Sequence, residues 1–389
     1  LTCQTPCDRR DVFVNDMWLQ HFSTIPDPRT GNRKVHKLID ILAIAIIATL
    51  CGEDDWVGIE EFARSREDWP RTFLELPYGI PSHDTFGRVF SLLSPEAFEQ
   101  AFMAWTQEIF RLTQGAVIAI DGKTLRRSHD QASGRKPLHL VQAWASGNGI
   151  VLAQRKVDEK ANEIVAIPEL LKALMIRGCT VTIDALGCQR EIVNQIREQG
   201  ADYVIAVKAH QKTLLEEVQT FFEDAQKLEF RGIEHAYAQT VEKGHGRVEI
   251  RQYWLSPASC ALVPDHGWCD LEGVGMVEAK RHLQGKVTVE RRYYITSLAG
   301  DVHEFARAMR SHWGIENGLH WVMDMTFRED QLRIRKRNAA QNAAILRRMA
   351  LNLLKRDTTV KKSLRLKRKY CAWNPEYLMH ILSLAPSSP

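Results

Sequence analysis

The spacing of apolar side chains predicts helices in the first third of the chain. Between residues 35 and 114 apolar positions recur every three or four residues, and turn residues separate the segments. This spacing gives a helix one face that packs on a core. Ser94-Pro95 is typical of a helix start, because serine caps free amides and proline fits the first helical position. Helices are predicted over 37–51, 56–68, 84–93 and 95–112.

The pattern changes at Gly115, where short β-branched runs begin to alternate with helical segments. The turn Ser146-Gly-Asn-Gly149 predicts a β-hairpin between two of these runs. A hairpin followed by alternating strands and helices is typical of a mixed sheet with helices packed against it. Strands are predicted at 116–121, 138–146, 150–158, 180–185 and 202–208, and helices at 162–177 and 189–199.

Residues 213–300 interrupt this alternation. They begin with a polar helical stretch and continue with strand-like runs at 247–255 and 290–297, which predicts a β-rich insertion. Helical spacing returns over 302–325 and 337–356. The fold class predicted from residues alone is therefore α/β. Four segments are predicted: an N-terminal extension at 1–34, an all-helical domain at 35–115, a mixed-sheet domain at 116–332 and a basic helical segment at 333–389.

Positive charge is concentrated near the C-terminus. Between Arg333 and Lys369 there are fourteen Lys or Arg residues and one acid, whereas the whole chain has a net charge of only +4. Such a block predicts a surface for a polyanion such as DNA. In the helix at 337–356, Ile345, Met349 and Leu353 predict a core side, and the arginines a phosphate side. The predicted phosphate contacts are Arg333, Arg335, Lys336, Arg337, Arg347 and Arg348.

The cysteines and the longest apolar run indicate the cellular setting. The eight cysteines show no paired spacing, which predicts reduced thiols in a cytoplasmic protein. The apolar run at 41–51 is shorter than the roughly 20 residues that a membrane span needs. It predicts a buried helix and no membrane partner.

Three acidic residues are the candidate catalytic groups. Asp121 follows Val117-Ile-Ala-Ile and Asp184 follows Thr180-Val-Thr-Ile, so each is predicted to close a buried strand. Singly, each acid fits a turn or a helix cap, but the repeated placement favours a functional pair. Glu316 is predicted on a helix face beside His312, Trp313 and His320. Asp324 is the second choice on this helix, and it lies about 12 Å further along at 1.5 Å per residue.

Carboxylates from separate elements are suited to phosphoryl transfer on DNA. Hard divalent cations prefer carboxylate oxygens, and a pair of them stabilises both the attacking and the leaving oxygen. Asp121, Asp184 and Glu316 are the predicted ligands, and Lys123 and His312 are the predicted DNA contacts nearby. Orientation of Glu316 is the other role open to the histidines of this helix. A rival hypothesis is a zinc or iron site on a single helix, formed by His312, Glu316 and His320.

Several longer motifs resemble the ISAs-type insertion-sequence transposases, the group that includes the H-repeat-associated proteins. The resemblance covers about residues 25–382. The motifs that carry it are Ile120-Asp-Gly-Lys-Thr-Leu-Arg126, Asp158-Glu-Lys-Ala-Asn-Glu-Ile164, Ile167-Pro-Glu-Leu-Leu171, Thr182-Ile-Asp-Ala-Leu-Gly-Cys-Gln189, Ala206-Val-Lys-Ala-His-Gln211 and His312-Trp-Gly-Ile-Glu-Asn-Gly-Leu-His-Trp321.

The resemblance implies a ribonuclease-H-like catalytic domain behind a helical transposase-associated domain. It implies a DDE triad at Asp121, Asp184 and Glu316, and two Mg²⁺ or Mn²⁺ ions. The implied reaction is nicking at the element's ends, followed by attack of the freed 3′-hydroxyl on target DNA. The expected partners are terminal inverted repeats, target DNA, and further copies of the chain in a homodimer or higher oligomer. Two alternatives stay open: a DNA-binding protein without catalysis, and a structure-specific nuclease without strand transfer.

Overall fold

A computed structural model describes residues 17–384, except 32–33, 131–133, 159–161, 245–246, 263–265 and 284. Much of the predicted N-terminal extension, including Cys3 and Cys7, therefore lies outside the described residues. The other six cysteines are free thiols. The chain forms two compact units, and the domain boundaries drawn from the sequence remain predictions. The first unit comprises Leu1–Arg111, Arg126–Lys136 and Met323–Pro389, and the second comprises Leu112–Leu125 and Pro137–Val322.

The first unit begins with five helices. Serine caps two of them, because Ser82 accepts a hydrogen bond from Thr85 N and Ser94, the helix start predicted from the sequence, accepts one from Ala97 N. The four predicted helices are confirmed, and one further short helix precedes them. The described part of the chain has no helix that is both long and apolar enough to cross a membrane. The helices are α1 (Met17–Ser23), α2 (Leu38–Leu50), α3 (Trp56–Ser65), α4 (His83–Leu92) and α5 (Pro95–Ile109).

The second unit begins with the predicted mixed sheet. Its elements are β1 (Val117–Leu125), β2 (Leu138–Ala145), β3 (Ile150–Lys156), α6 (Glu163–Lys172), β4 (Thr180–Ile183), α7 (Arg190–Glu198) and β5 (Asp202–Val207). Strands β1, β2 and β3 form an antiparallel meander, whereas β4 runs parallel to both β1 and β5. The α/β class and the order of these strands and helices are confirmed.

The insertion extends the same sheet. It contains α8 (Lys212–Lys227), β6 (Ala236–Gly244), β7 (Arg247–Pro257), α9 (Ala258–Ala261), β8 (Gly273–Leu283) and β9 (Lys286–Thr296). Strand β9 pairs antiparallel with β5, so the nine strands have the order β3-β2-β1-β4-β5-β9-β8-β7-β6. The runs predicted at 247–255 and 290–297 correspond to β7 and β9. Strands β6 and β8 were not predicted.

One long helix follows the insertion, as predicted. It consists of α10 (Val302–Ile315), a π-helical turn at Glu316–His320 and α11 (Trp321–Met325). Phe305 of α10 packs edge-on against Tyr253 and Tyr294 of the sheet, with ring centroids 6.4 and 5.7 Å apart. This aromatic contact fixes α10 against the insertion strands.

The C-terminal residues of the first unit form α12 (Ala339–Arg356), α13 (Leu364–Trp373) and α14 (Pro375–Leu382). Helix α12 packs against α2, α4 and α5 and is buried along nearly its whole length. The prediction that the arginines of this helix form a phosphate-binding side is therefore wrong. Arg347 and Arg348 are 4% and 0% exposed and both pair with Glu329.

Glu329 is central to this buried ion cluster. Its Oε1 accepts a 3.0 Å hydrogen bond from Arg347 Nε, and its Oε2 accepts a 2.9 Å bond from Arg348 Nη2. Buried charges need such partners, because a lone charge pays a desolvation cost of several kcal/mol. The cluster therefore uses two of the predicted DNA-binding arginines to hold α12 in the helical core.

We predict that Glu329→Ala destabilises the protein by about 3–5 kcal/mol, because it leaves two buried guanidinium groups without their carboxylate. The free energy of unfolding in denaturant measures this change. Glu67→Ala is the matched control, since Glu67 pairs with Arg71 on the surface of the same unit. It should cost about 1 kcal/mol or less. Equal costs for the two variants would contradict the structural role of Glu329.

Candidate active site

Asp121 and Asp184 lie where two parallel strands separate. Strands β1 and β4 pair from Val117↔Thr180 to Ile120↔Ile183, and the two aspartates are the next residues along each strand. Strand β1 does not end there, because it continues to Leu125 along β2. The prediction that Asp121 closes its strand is therefore wrong. What ends at Asp121 is the pairing with β4, which brings both carboxylates to one edge of the sheet.

Backbone amides hold one oxygen of each aspartate. Asp121 Oδ1 accepts a 2.9 Å hydrogen bond from Gly122 N, and Asp184 Oδ1 accepts a 3.0 Å bond from Leu186 N. Asp184 thereby caps a short 3₁₀ turn at Ala185–Gly187. These bonds orient the two carboxylates through Oδ1, and they do not involve Oδ2 of either aspartate.

Glu316 reaches the same cleft from the long helix. The cleft has a volume of about 550 Å³ and is lined by Asp121, Asp184 and Glu316, together with His312 and Trp313. Glu316 is exposed and starts the π-helical turn, a distortion that is frequent at functional sites. The structure thus brings together the three acids that the sequence singles out. The second choice, Asp324, belongs to the other compact unit.

A fourth carboxylate, that of Glu163, lies close to Asp121 and was not predicted from the sequence. This residue starts α6, and its Oε1 lies 2.6 Å from His139 Nε2 on β2. The other ring nitrogen, His139 Nδ1, lies 2.8 Å from Thr124 Oγ1. A Cβ on Gly122 would lie only 2.0 Å from Glu163 Oε1, so glycine at 122 makes room for this carboxylate. The motif Asp158–Ile164 contains Glu163, and this motif was the feature of the sequence that could have identified the residue.

The acids influence one another electrostatically. Burial raises the pKa of Asp121 to about 7, and the negative charges of Asp184, Glu163 and Glu316 act in the same direction. Burial also raises the pKa of Asp184, again with a contribution from Glu163, while nearby Lys208 opposes the rise. The other three carboxylates thus all act on Asp121, and a site with this concentration of negative charge favours a compensating positive charge.

His312 has a different environment from the one predicted. Its Nδ1 lies 3.0 Å from Thr182 Oγ1 on β4. Burial lowers the pKa of His312 to about 4, with help from the charge of Arg292, so the ring is neutral at neutral pH. A neutral ring bound to Thr182 is not a cationic phosphate contact, and the DNA-binding role of His312 stays a prediction. The ring instead connects the helix to the strand that precedes Asp184.

The single-helix zinc hypothesis also lacks the required geometry. His320 Nδ1 lies 3.7 Å from Asp121 Oδ2, whereas His312 faces Thr182. The described ranges contain no group of three or more His, Cys, Asp or Glu side chains arranged to hold a metal ion. The donor chemistry of the cleft nevertheless suits hard divalent cations, because its acids are carboxylates that repel one another.

The basic residues near the cleft differ from those predicted. Lys123 is only 8% exposed. Lys208, Arg291 and Arg292 line the cleft instead. Lys208 directly follows strand β5. The two aspartates were selected because they follow buried strands, and the same criterion also identifies Lys208. Arg292 and Arg251 lie over the Trp313 ring, 5.4 and 4.9 Å from its centroid.

The remaining predicted DNA contacts lie in the first unit. Arg333, Lys336 and Arg337 are exposed there. Arg335 is half-buried, and its Nε donates a 3.0 Å hydrogen bond to the Arg127 carbonyl. Exposure leaves the first three available to a ligand, and their role in DNA binding stays a prediction.

Sequence comparison identifies the family to which this mixed sheet and its acidic cleft belong. Residues 113–353 match the family described as Transposase DDE domain, and residues 19–106 match the family described as DDE_Tnp_1-associated. The chain therefore belongs to the DDE transposase family, in the group of the H-repeat-associated proteins. The resemblance inferred from the motifs is confirmed.

The matches cover most of the length of each similar protein. The H repeat-associated putative transposase YhhI of Escherichia coli K12 is 38% identical over 372 residues, which is 94% of this chain and 97% of that protein. An uncharacterized protein in the dhlA 3′ region of Xanthobacter autotrophicus is 47% identical over 283 residues, 72% of this chain and 94% of its own. The solved piggyBac transposase synaptic complex with hairpin DNA matches 97% of this chain and 83% of its own, with a TM-score of 0.40 and 11% identity.

We predict that Gly122→Ala acts by displacing the Glu163 carboxylate. In a double-mutant cycle on unfolding free energy, Gly122→Ala should cost more in the wild type than in Glu163→Ala, by about 0.5–3 kcal/mol. Gly147→Ala is the control, because a Cβ there meets no atom within 4 Å. Its cost should agree between the two backgrounds to about 0.5 kcal/mol. A Gly122→Ala cost that is the same in both backgrounds would show that the two residues do not compete for space.

Proposed function

We propose that this chain is a metal-dependent DNA transposase that nicks DNA at the ends of its element and joins the freed strand to target DNA. The observation that carries the proposal is the single cleft lined by Asp121, Asp184 and Glu316, which come from two strand edges and a helix. Membership in the DDE transposase family supports DNA as the substrate.

In this proposal the three acids are the ligands of two Mg²⁺ or Mn²⁺ ions. Bound divalent cations supply charge stabilisation for the attacking and leaving oxygens of phosphoryl transfer. The amides of Gly122 and Leu186 orient Asp121 and Asp184 for this role. His312 fixes the helix that carries Glu316 through its contact with Thr182, and Lys208 supplies positive charge at the rim for an approaching phosphate.

Two transfers occur at this site. In the first, water attacks a phosphodiester at the element's end, the P–O3′ bond breaks, and a 3′-hydroxyl is released. In the second, that hydroxyl attacks a target phosphodiester, forming a new P–O bond and releasing a target 3′-hydroxyl. The same carboxylates serve both steps, because each is an in-line displacement at phosphorus.

Glu163 is the fourth acid of the proposed site. Its charge raises the pKa of both Asp121 and Asp184, so it lies within electrostatic range of each. His139 binds its Oε1. A neighbour of this kind orients a metal-binding carboxylate or adds an oxygen ligand of its own, and either role strengthens metal binding.

The finer features of the fold and assembly belong to the same proposal. We propose a ribonuclease-H-like core, supported by the antiparallel meander β3-β2-β1 joined to the parallel strands β4 and β5. We also propose assembly as a homodimer or higher oligomer on DNA, as the resemblance to insertion-sequence transposases implies. An inactive DNA-binding protein and a nuclease without strand transfer are the competing functions.

We predict that Asp121→Asn, Asp184→Asn and Glu316→Gln each abolish nicking and joining. Losing a ligand should slow the reaction by a factor on the order of 10³, which corresponds to several kcal/mol of charge stabilisation. The assay uses terminal-repeat DNA and a target plasmid with Mg²⁺ or Mn²⁺, and measures nicked and joined products separately. Asp224→Asn is the control, because Asp224 is an exposed acid on α8 that pairs with Lys227.

Each outcome distinguishes the candidate functions. Nicked DNA without joined products favours the nuclease, and DNA binding without nicking by the wild type favours the inactive protein. Full activity in Asp184→Asn would exclude the proposed metal site.

We predict that Glu163→Gln weakens metal binding while stabilising the metal-free protein. Removing one negative charge relieves repulsion, so the thermal unfolding midpoint without metal should rise. The affinity for Mn²⁺ should fall about 10–100-fold, and the Mn²⁺-induced stabilisation should shrink by about 1–3 kcal/mol. Asp224→Asn should change neither quantity. The proposal for Glu163 fails if Mn²⁺ stabilises Glu163→Gln as strongly as the wild type.

A further inference from the structure

Helix α13 has an exposed face on which cations and aromatic rings alternate. Trp373 is 65% exposed, Tyr370 36% and Leu366 39%. These three residues are spaced at i, i+4 and i+7 and so share one side of the helix. Arg365 and Lys369 are exposed beside them, and Lys369 Nζ lies 5.6 Å from the centroid of the Trp373 ring.

The cations of α13 are divided between two faces. Lys367 and Arg368 point inward, where Lys367 Nζ lies 3.1 Å from Asp357 Oδ2 and Arg368 Nη2 lies 2.9 Å from Asp54 Oδ1. Arg368 Nη2 also donates to the carbonyl of Thr49. The inward cations therefore anchor the helix to its own unit.

The outward cations have no such role. Among the described residues, none of Lys361, Lys362, Arg365 and Lys369 forms an ion pair with a carboxylate, and all four are exposed. Asp54 and Asp324 line a second cleft, separate from the acidic one, beside Arg365 and Lys369, and Asp54 is held by Arg368. The exposed side thus carries four cations that form no ion pair within the part of the chain that the structure describes.

We propose that this face, formed by Lys361, Lys362, Arg365, Leu366, Lys369, Tyr370 and Trp373, is a DNA-docking surface outside the acidic cleft. Charge complementarity identifies the occupant, because uncompensated Lys and Arg residues gain affinity by releasing counterions from phosphates. Exposed aromatic rings among them are suited to contacts with sugars and base faces. The proposal rests on the proposed function for its choice of DNA, but it concerns binding rather than chemistry.

The test measures binding of the full-length protein to a labelled DNA duplex with a single-stranded overhang, whose unpaired bases are open to stacking, by fluorescence anisotropy at several salt concentrations. Affinity falls with salt, and the slope of log affinity against log salt should become less steep by about 1–2 in the double variant Arg365→Gln/Lys369→Gln. Each lost phosphate contact contributes about 0.9 to this slope. Trp373→Ala should lower the affinity roughly 5–100-fold with little change in that slope, because stacking is not ionic.

Matched controls separate this surface from general effects of charge and exposure. Lys227→Gln/Arg231→Gln removes two exposed cations that already pair with Asp224 and Glu229. Tyr78→Ala removes an exposed ring, 67% exposed, at a different place in the first unit. Both controls should bind DNA like the wild type. Thermal unfolding of every variant shows whether the fold is kept.

The outcomes of binding and of catalysis are separable. The inference is overturned if the α13 variants bind DNA like the wild type. It is also overturned if Trp373→Ala changes the oligomeric state in sedimentation but not the DNA affinity, because the face would then join two copies of the chain. If DNA binding depends on α13 while the wild type never nicks, the docking surface stands and the proposed catalytic function fails.

Discussion

Mutual repulsion of carboxylates at one sheet edge is the constraint on which the site depends. Strands β1 and β4 bring Asp121 and Asp184 together, and Glu163 and Glu316 add further negative charge. Burial makes this arrangement more costly, as the raised pKa of Asp121 shows. The fold offsets part of the cost with backbone amides, with His139 on Glu163 and with Lys208. A site that concentrates negative charge in this way is adapted to a ligand that brings positive charge.

The same electrostatic rule divides the C-terminal cations into two groups. Arg347, Arg348, Lys367 and Arg368 are buried and meet carboxylates at Glu329, Asp357 and Asp54. The exposed cations have no such partners within the described chain. A sequence count treats both groups alike, because it records charge without burial. The structure shows that part of the basic block is used to hold the helical core, and only the remainder can face a polyanion.

Elements with strong local patterns could be predicted from the sequence, and elements defined by distant partners could not. The helices α2 to α5 and the strands β1 to β5 have clear spacing, and serines cap two of the helices. Strand β8 was missed because Gly273 and Gly275 interrupt its pattern, yet a Cβ at 275 would lie 2.4 Å from the Phe305 ring. Glu163 was missed for a similar reason: only the folded chain places it beside Gly122 and His139.

Helical periodicity alone does not predict the surroundings of the third acid, Glu316. An ideal α-helix places His312, Glu316 and His320 on one face at i, i+4 steps. The chain instead forms a π-helical turn from Glu316 to His320, which changes the angular positions of the residues within it. His312 lies in α10 before this turn and meets Thr182, whereas His320 lies within the turn and approaches Asp121. The two histidines predicted beside Glu316 therefore contact the strands that carry the aspartates. These contacts join the helix to the rest of the site.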